Sequence, residues 1–226
     1  MAATFITGTG TEVGKTFVAA ALIRSLRAAG RPVEALKPVV TGFDPITTEA
    51  SDPGLLLAAL GRPVTLPEIE RIAPWRYATP VAPDLAARRE RRPPLDFDAL
   101  VAFSRKAIAA HQGTLLIEGV GGIMVPLTEK HTVLDWMVAL EIPLVVVTGT
   151  YLGTLSHTLT CLDVLARRNL SIRTLIVNDT PGSPVTMHST TESLSNFVQG
   201  IPIASMRRIP DGVHSEGVFG AIAELL

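Results

Sequence analysis

Residues 8–16 read Gly8-Thr9-Gly10-Thr11-Glu12-Val13-Gly14-Lys15-Thr16. A short apolar run, Ala3-Thr4-Phe5-Ile6, precedes them and a helical pattern follows. A strand, a glycine-rich turn and a helix N-terminus that opens on Gly-Lys-Thr form a phosphate cradle. Backbone N–H groups line such a turn, the helix dipole favours anions, and the lysine reaches the outer phosphates. The spacing is a variant. A standard loop has four residues between its first glycine and Gly-Lys-Thr. That count falls on Thr9, with Gly8 one position early and Gly10 one late. A glycine-rich turn that binds nothing is the competing reading.

Lysine is scarce here. Lys and Arg total 20, and the only lysines are Lys15, Lys37, Lys106 and Lys130. Lys106, on a helical pattern, and Lys130, in a charged loop, read as solvated surface. Lys37 ends the run Val33-Glu34-Ala35-Leu36. A compact ammonium at a strand end suits phosphate and transition-state charge. Thr16 is placed to ligate a nucleotide-bound Mg²⁺, which prefers oxygen ligands and one or two carboxylates. Glu118, ending Thr114-Leu115-Leu116-Ile117, is the first carboxylate candidate, with a charged strand end facing water as the alternative. Asp52 is the second, and a plain helix cap reads equally well. Gly119-Val120-Gly121-Gly122 allows close approach of backbone to a ligand, or simply a tight turn. Thr154 and Ser156 open a helix, where N–H groups hold a carboxylate or are capped. His157 reads as a packed helix residue, and Arg88, Arg89, Arg91 and Arg92 as a solvated face. The chain carries no Ser-His-Asp or Cys-His arrangement and no Cys/His metal cluster.

These residues need a frame. Strand patterns at 3–8, 33–38, 114–118, 143–148, 172–178 and 201–205 alternate with helical patterns at 15–29, 52 onward, 96–112, 132–140, 154–168, 187–199 and 217–226. Residues 39–51 read as irregular, and the proline-rich stretch 61–95 as an ordered loop with short helices. Continuous apolar strands between helices predict an α/β fold: one domain over 1–226, with a parallel sheet covered on both faces. Ligands of such sheets bind beyond the strand carboxyl ends. Gly8–Thr16, Lys37–Thr41, Glu118–Gly122, Gly149–Ser156 and Asn178-Asp179 all follow strand ends. At 226 residues and net charge −1, the chain points to neither nucleic acid nor a membrane surface. No apolar run reaches spanning length, and no basic leader precedes the first strand. Cys161 stands alone, as expected of a packed thiol in a cytoplasmic protein.

Taken together, Thr9–Thr16, Lys37–Gly42, Glu118–Gly122, Leu152–His157 and Val177–Asp179 resemble dethiobiotin synthetases, P-loop relatives of biotin synthesis. The resemblance runs from residue 4 to about 180 and fades beyond. It implies ATP- and Mg²⁺-dependent ring closure of 7,8-diaminononanoate with CO₂, through a carbamate and a carbamic–phosphoric anhydride, in a homodimer with its site near the interface. It assigns ATP to Glu12, Val13, Gly14, Lys15, Thr16, Phe17, Asp52, Glu118, Gly119, Val120, Gly121, Asn178 and Asp179. Mg²⁺ falls to Thr16, Asp52 and Glu118. Lys15, Lys37 and Thr11 serve the chemistry. Thr11, Lys37, Thr41 and Gly121 meet the diamine or its carbamate, and Thr154 and Ser156 its carboxylate tail. Asn178 reads adenine, with a further contact near Arg208-Ile209-Pro210. Gly10 departs from an aspartate frequent in that family. Two other classes compete. An amidating ligase needs an ammonia source that this chain is too short to carry. A partitioning-type ATPase switch carries an additional early lysine, absent before Lys15.

Overall fold

The structure, a computed structural model, describes residues 2–206, 220 and 222–224. Strands and helices run in the order β1 (Ala2–Gly8), α1 (Lys15–Ala28), β2 (Val33–Leu36), β3 (Val39–Thr41), α2 (Asp52–Ala59), α3 (Leu66–Ile72), β4 (Trp75–Tyr77), α4 (Pro83–Arg89) and α5 (Phe97–Ala110). They continue with β5 (Thr114–Glu118), α6 (Val133–Leu140), β6 (Leu144–Thr148), α7 (Thr154–Arg167), β7 (Ile172–Asn178), α8 (Met187–Ser195) and β8 (Ile203–Met206).

Among the described residues six strands form one parallel sheet in the order β2-β5-β1-β6-β7-β8. Every residue of β5 and β6 is buried. Both faces of these strands are therefore covered, which explains their unbroken apolar sequences. The chain crosses from β1 to one edge, returns through β5, and then builds outward on the other side through β6. The strand order thus reverses beside β1, and such a switch point opens a crevice at the strand carboxyl ends. The phosphate loop leaves β1 there.

The sheet registers bring the chemistry together. Ile6 pairs with Glu118, and Gly8 with Val147. Gly119 N–H donates to the Ile6 carbonyl at 3.0 Å, so the turn after β5 is tied to β1. Phe5 packs edge-on against Trp136 at 4.8 Å and fills the space beside Gly119, where a Cβ would lie 2.8 Å from the ring. The glycine at 119 is therefore a packing requirement as well as a turn. Trp136 is wholly buried, and its indole N–H donates to Ser104 Oγ at 3.2 Å. A buried polar handle with a partner avoids a desolvation cost of about 1–3 kcal/mol.

Three elements depart from the sequence reading. Residues 39–41 are strand, not irregular: β3 pairs in parallel with β4, inside the stretch read as loop with short helices. Three-residue strands are too short to show a period. Their pairing rests on tertiary contacts, including Arg76 over Phe43 and Arg92 over Tyr77. Helix α8 ends at Ser195 rather than 199. His157 is exposed rather than packed. Lys106 and Lys130 are exposed as expected, and the Cys161 thiol is buried, which pushes its pKa up to about 12. Most of the helix expected over 217–226 lies outside the described residues, as does Arg208-Ile209-Pro210.

Candidate active site

The phosphate loop is shaped by two residues with positive φ, Glu12 at 60° and Gly14 at 95°. Gly14 caps α1 in the left-handed conformation, and a Cβ on it would sit 2.0 Å from the Asn178 Nδ2. That amide donates to the Val13 carbonyl at 3.0 Å. Asn178, at the end of β7, therefore braces the loop from the side. Gly8 is equally confined: a Cβ there would lie 2.8 Å from both Val13 Cγ2 and the Val147 carbonyl. Gly10 faces open space.

A cavity of about 310 Å³ opens beyond these strand ends. Thr11, Glu12, Gly14, Lys15, Thr16 and Phe17 form its phosphate-loop side. Lys37, Thr41, Asp52, Glu118, Val120 and Gly121 form the opposite side. The cavity gathers residues at the ends of β1, β2, β3 and β5, as the strand-end rule predicts, together with Asp52 at the start of α2. Val13 is instead buried beneath the loop. Gly119 contributes its carbonyl, which accepts from Lys37 Nζ at 2.8 Å. Asn178 and Asp179 lie outside the lining. Thr154 and Ser156 do too, and the Thr154 N–H already donates to the Tyr151 carbonyl at 3.0 Å.

Four charged groups converge. Lys37 is 2% and Glu118 1% exposed. Lys37 Nζ lies 2.6 Å from Glu118 Oε1 and 3.1 Å from Asp52 Oδ2. Glu118 Oε1 also accepts from the Thr16 hydroxyl at 2.7 Å. Burial acts to lower the Lys37 pKa, but the Glu118 and Asp52 carboxylates outweigh it and hold the ammonium above its usual range. Burial likewise opposes the charge on Asp52, yet Lys37 and the Thr16 and Lys15 contacts hold that carboxyl below its usual range. Glu118 is driven upward by burial, only partly relieved by Lys37. Lys15 folds over its own loop and donates to the Gly10 carbonyl at 2.6 Å. Its pKa falls to about 8, first through burial and second through the Lys37 charge.

The water-facing alternative for Glu118 is excluded by its burial. Asp52 is not the helix cap: Ser51 is, its hydroxyl accepting from the Gly54 N–H at 3.2 Å. This frees the Asp52 carboxylate for Lys37. Among the described residues no group of three or more His, Cys, Asp and Glu side chains could enclose a metal. A Mg²⁺ bound largely through nucleotide phosphates needs no such group. The donors present fit it: Glu118 Oε2 is buried with no hydrogen-bond partner among the described residues, the other oxygen of that carboxylate accepts from Thr16, and Asp52 lines the same cavity. No helix among the described residues is long and apolar enough to cross a membrane.

Sequence reasoning missed a cluster of hydroxyls behind the loop. Thr148 Oγ1 lies 3.1 Å from Thr9, 2.9 Å from Thr154 and 2.8 Å from Thr158. Its only signal was the Thr154/Thr158 spacing of four, which puts both hydroxyls on one helix face.

The geometry agrees with what this chain is similar to. A family model described as an AAA domain matches residues 2–211. The ATP-dependent dethiobiotin synthetase of Acidiphilium cryptum is 46% identical over 88% of this chain and 89% of its own. Its counterpart in Methylobacterium nodulans is 45% identical over 96% and 98%. Among solved structures, a ParA family ATPase from Chlorobium tepidum superposes with a TM-score of 0.56 at 13% identity, covering 99% of this chain and 97% of that one. Cobyrinic acid a,c-diamide synthase from Mycobacterium smegmatis gives 0.53 at 14%, covering 99% and 93%. These distant likenesses carry the fold alone, so the partitioning-type reading gains no functional support from them. The sequence relatives carry more, and with the two buried lysines facing Thr16, Asp52 and Glu118 they lead to one assignment: the chain belongs to the ATP-dependent dethiobiotin synthetase family.

Proposed function

We propose that this chain closes a cyclic urea, converting 7,8-diaminononanoate, CO₂ and ATP to dethiobiotin, ADP and phosphate. One observation carries the reading within the family: two buried ammonium groups, Lys15 and Lys37, line a single cavity next to a phosphate loop. A reaction that builds negative charge on a carbamate and then on a transferring phosphoryl group needs that arrangement.

In this reading one amine of the substrate adds to CO₂, forming a carbamate and releasing a proton. A carbamate oxygen then attacks the γ-phosphorus, and ADP leaves. The second amine attacks the carbamoyl carbon and expels phosphate, closing the five-membered ring. Lys37 swings from Glu118 toward the carbamate and γ-phosphate oxygens, and Lys15 turns from the Gly10 carbonyl to the outer phosphates. Thr11 and Thr41 offer hydroxyls to the diamine or its carbamate, and Gly121 allows close approach. Thr16, Asp52 and Glu118 would hold Mg²⁺, which when bound would neutralise phosphate charge. Asn178 and Asp179 serve the adenine side, and the exposed Ser156 in the first turn of α7 serves the carboxylate tail, while the buried Thr154, its N–H and hydroxyl both engaged, shapes that turn. The resemblance also favours a homodimer.

The test supplies ATP, Mg²⁺, bicarbonate and the diamine. The expected result is a product heavier than the diamine by CO₂ less water, with one ADP per product. ADP release indifferent to the diamine would overturn the proposal.

A further inference from the structure

The hydroxyl cluster behind the phosphate loop has one consistent arrangement of its protons. The Gly149 carbonyl can only accept, and Thr154 Oγ1 donates to it at 2.7 Å. Thr154 has then used its proton, so it accepts from Thr148. A hydroxyl has one donor and two acceptor sites. Thr148, having donated once, accepts from its other two partners, Thr158 and Thr9. Thr9 has thereby donated its proton to Thr148. It can only accept from its remaining partner, the Tyr151 phenol at 3.4 Å. Tyr151 in turn has donated, and it faces His157 Nδ1 at 2.9 Å. The arrangement that satisfies every one of these contacts therefore places a proton on that nitrogen. The result is a one-way chain from His157 through Tyr151, Thr9, Thr148 and Thr154 to the Gly149 carbonyl.

We propose that His157 is held as its Nδ1–H tautomer, and that Tyr151 and His157 are positioning residues for nucleotide binding that act through Thr9. Thr9 is the first residue after β1. Its N–H donates to the Val147 carbonyl at 3.0 Å, and its carbonyl lies 3.1 Å from where a Cβ on Gly122 would stand. The residue is thus clamped between β6 and the glycine-rich turn, and its side chain is the one part free to rotate. The hydroxyl chain fixes that rotation and so ties the first residue of the loop to Thr148 and Tyr151. With the other tautomer, Nδ1 would take the Tyr151 proton. Two acceptor oxygens would then face each other between Tyr151 and Thr9, so Thr9 would keep its bond to Thr148 and lose the one to Tyr151. The tautomer of a ring is set by the hydrogen bonds its nitrogens make, and among the described residues the ring of His157 makes one, through Nδ1.

This inference concerns nucleotide binding and rests on the proposed function only in taking the bound nucleotide to be ATP. Nitrogen-15 NMR of the labelled protein separates the two tautomers by the shifts of Nδ1 and Nε2. The expected signal for neutral His157 is that of the Nδ1–H form, assigned by its loss in His157→Gln. Tyr151→Phe should release the tautomer to the Nε2–H form and weaken binding of a non-hydrolysable ATP analogue with Mg²⁺ about fivefold, the equivalent of one ordinary hydrogen bond. Its melting temperature should stay close to the parent's, because Tyr151 is only half-buried. Thr148→Val, from the buried end, should weaken the analogue similarly. An Nε2–H signal in the parent protein, or unchanged analogue affinity in Tyr151→Phe, would overturn the proposal. Neither readout depends on ring closure, so a failed synthesis assay leaves this test intact.

Discussion

Replacing Lys37 by glutamine separates the chemical and structural parts of the site. Lys37 Nζ touches Glu118 Oε1 at 2.6 Å, the Gly119 carbonyl at 2.8 Å and Asp52 Oδ2 at 3.1 Å. At an effective dielectric constant near 20, the closest of these pairs is worth about 6 kcal/mol before desolvation. Measured losses on breaking such buried pairs are about 3–5 kcal/mol. For a chain of this size that is a fall of roughly 6–20 °C in melting temperature. Burial already raises the Glu118 pKa, and without Lys37 it rises further. The sign then follows. A carboxyl with a folded pKa above its unfolded value binds more protons in the native state. The deficit of the variant is therefore small at acid pH, grows as pH rises through the carboxylate range, and levels off above the folded pKa of Glu118. Turnover, measured well below the melting transition, should drop at least about a hundredfold, as for loss of one preorganised charge-stabilising donor. The double variant Lys37→Gln/Glu118→Gln should recover much of the stability, since no buried charge is left unpaired, and none of the turnover. Single-variant turnover within about threefold of the parent, or recovery of turnover in the double variant, would refute the reasoning.

Gly14→Ala should fail on two counts, the left-handed φ of 95° and a Cβ 2.0 Å from Asn178 Nδ2. Calorimetric titration should find ATP binding lost, with a stability loss of about 1–3 kcal/mol, and an intact ATP isotherm would contradict the loop geometry. Asp52→Asn removes a carboxylate whose side chain is 44% exposed, so stability near neutral pH should change little. The lowered pKa of Asp52 means its contribution is present above the usual carboxylate range and fades as pH falls through the folded pKa. The melting curves of parent and variant should therefore converge in acid, while half-saturation by Mg²⁺ should move several-fold higher in turnover assays. An unchanged Mg²⁺ titration would remove Asp52 from the metal.

Much of this site was legible because strand ends punctuate the sequence. Lys37 and Glu118 each close an apolar run, and the parallel-sheet rule puts both at one edge beside Lys15. The contact between them was not legible. It depends on β5 lying between β2 and β1, an order that no local pattern encodes. The role of Asp52 was ambiguous because Ser51, its neighbour, is an equally good cap, and only the extended backbone of Ser51 and its bond from the Gly54 N–H decide. Strands β3 and β4 were invisible for their length. The Tyr151–Thr9 link joins residues far apart in the chain, so no spacing could announce it.

The central position of β1 also governs how the molecule is made. Its neighbours enter the chain late: Phe5 lies beside Ile117 on one side and Leu144 on the other. The first strand synthesised must wait for roughly 140 further residues, about 7–30 s at ordinary ribosomal speeds. Until β5 arrives the apolar segment has no sheet to join, and until β6 arrives the glycine-rich loop behind it lacks half its scaffold. Nascent chains shorter than about 150 residues should therefore be unable to retain ATP, and the same residues that end as the anchor of the catalytic cleft begin as the segment most in need of protection from aggregation.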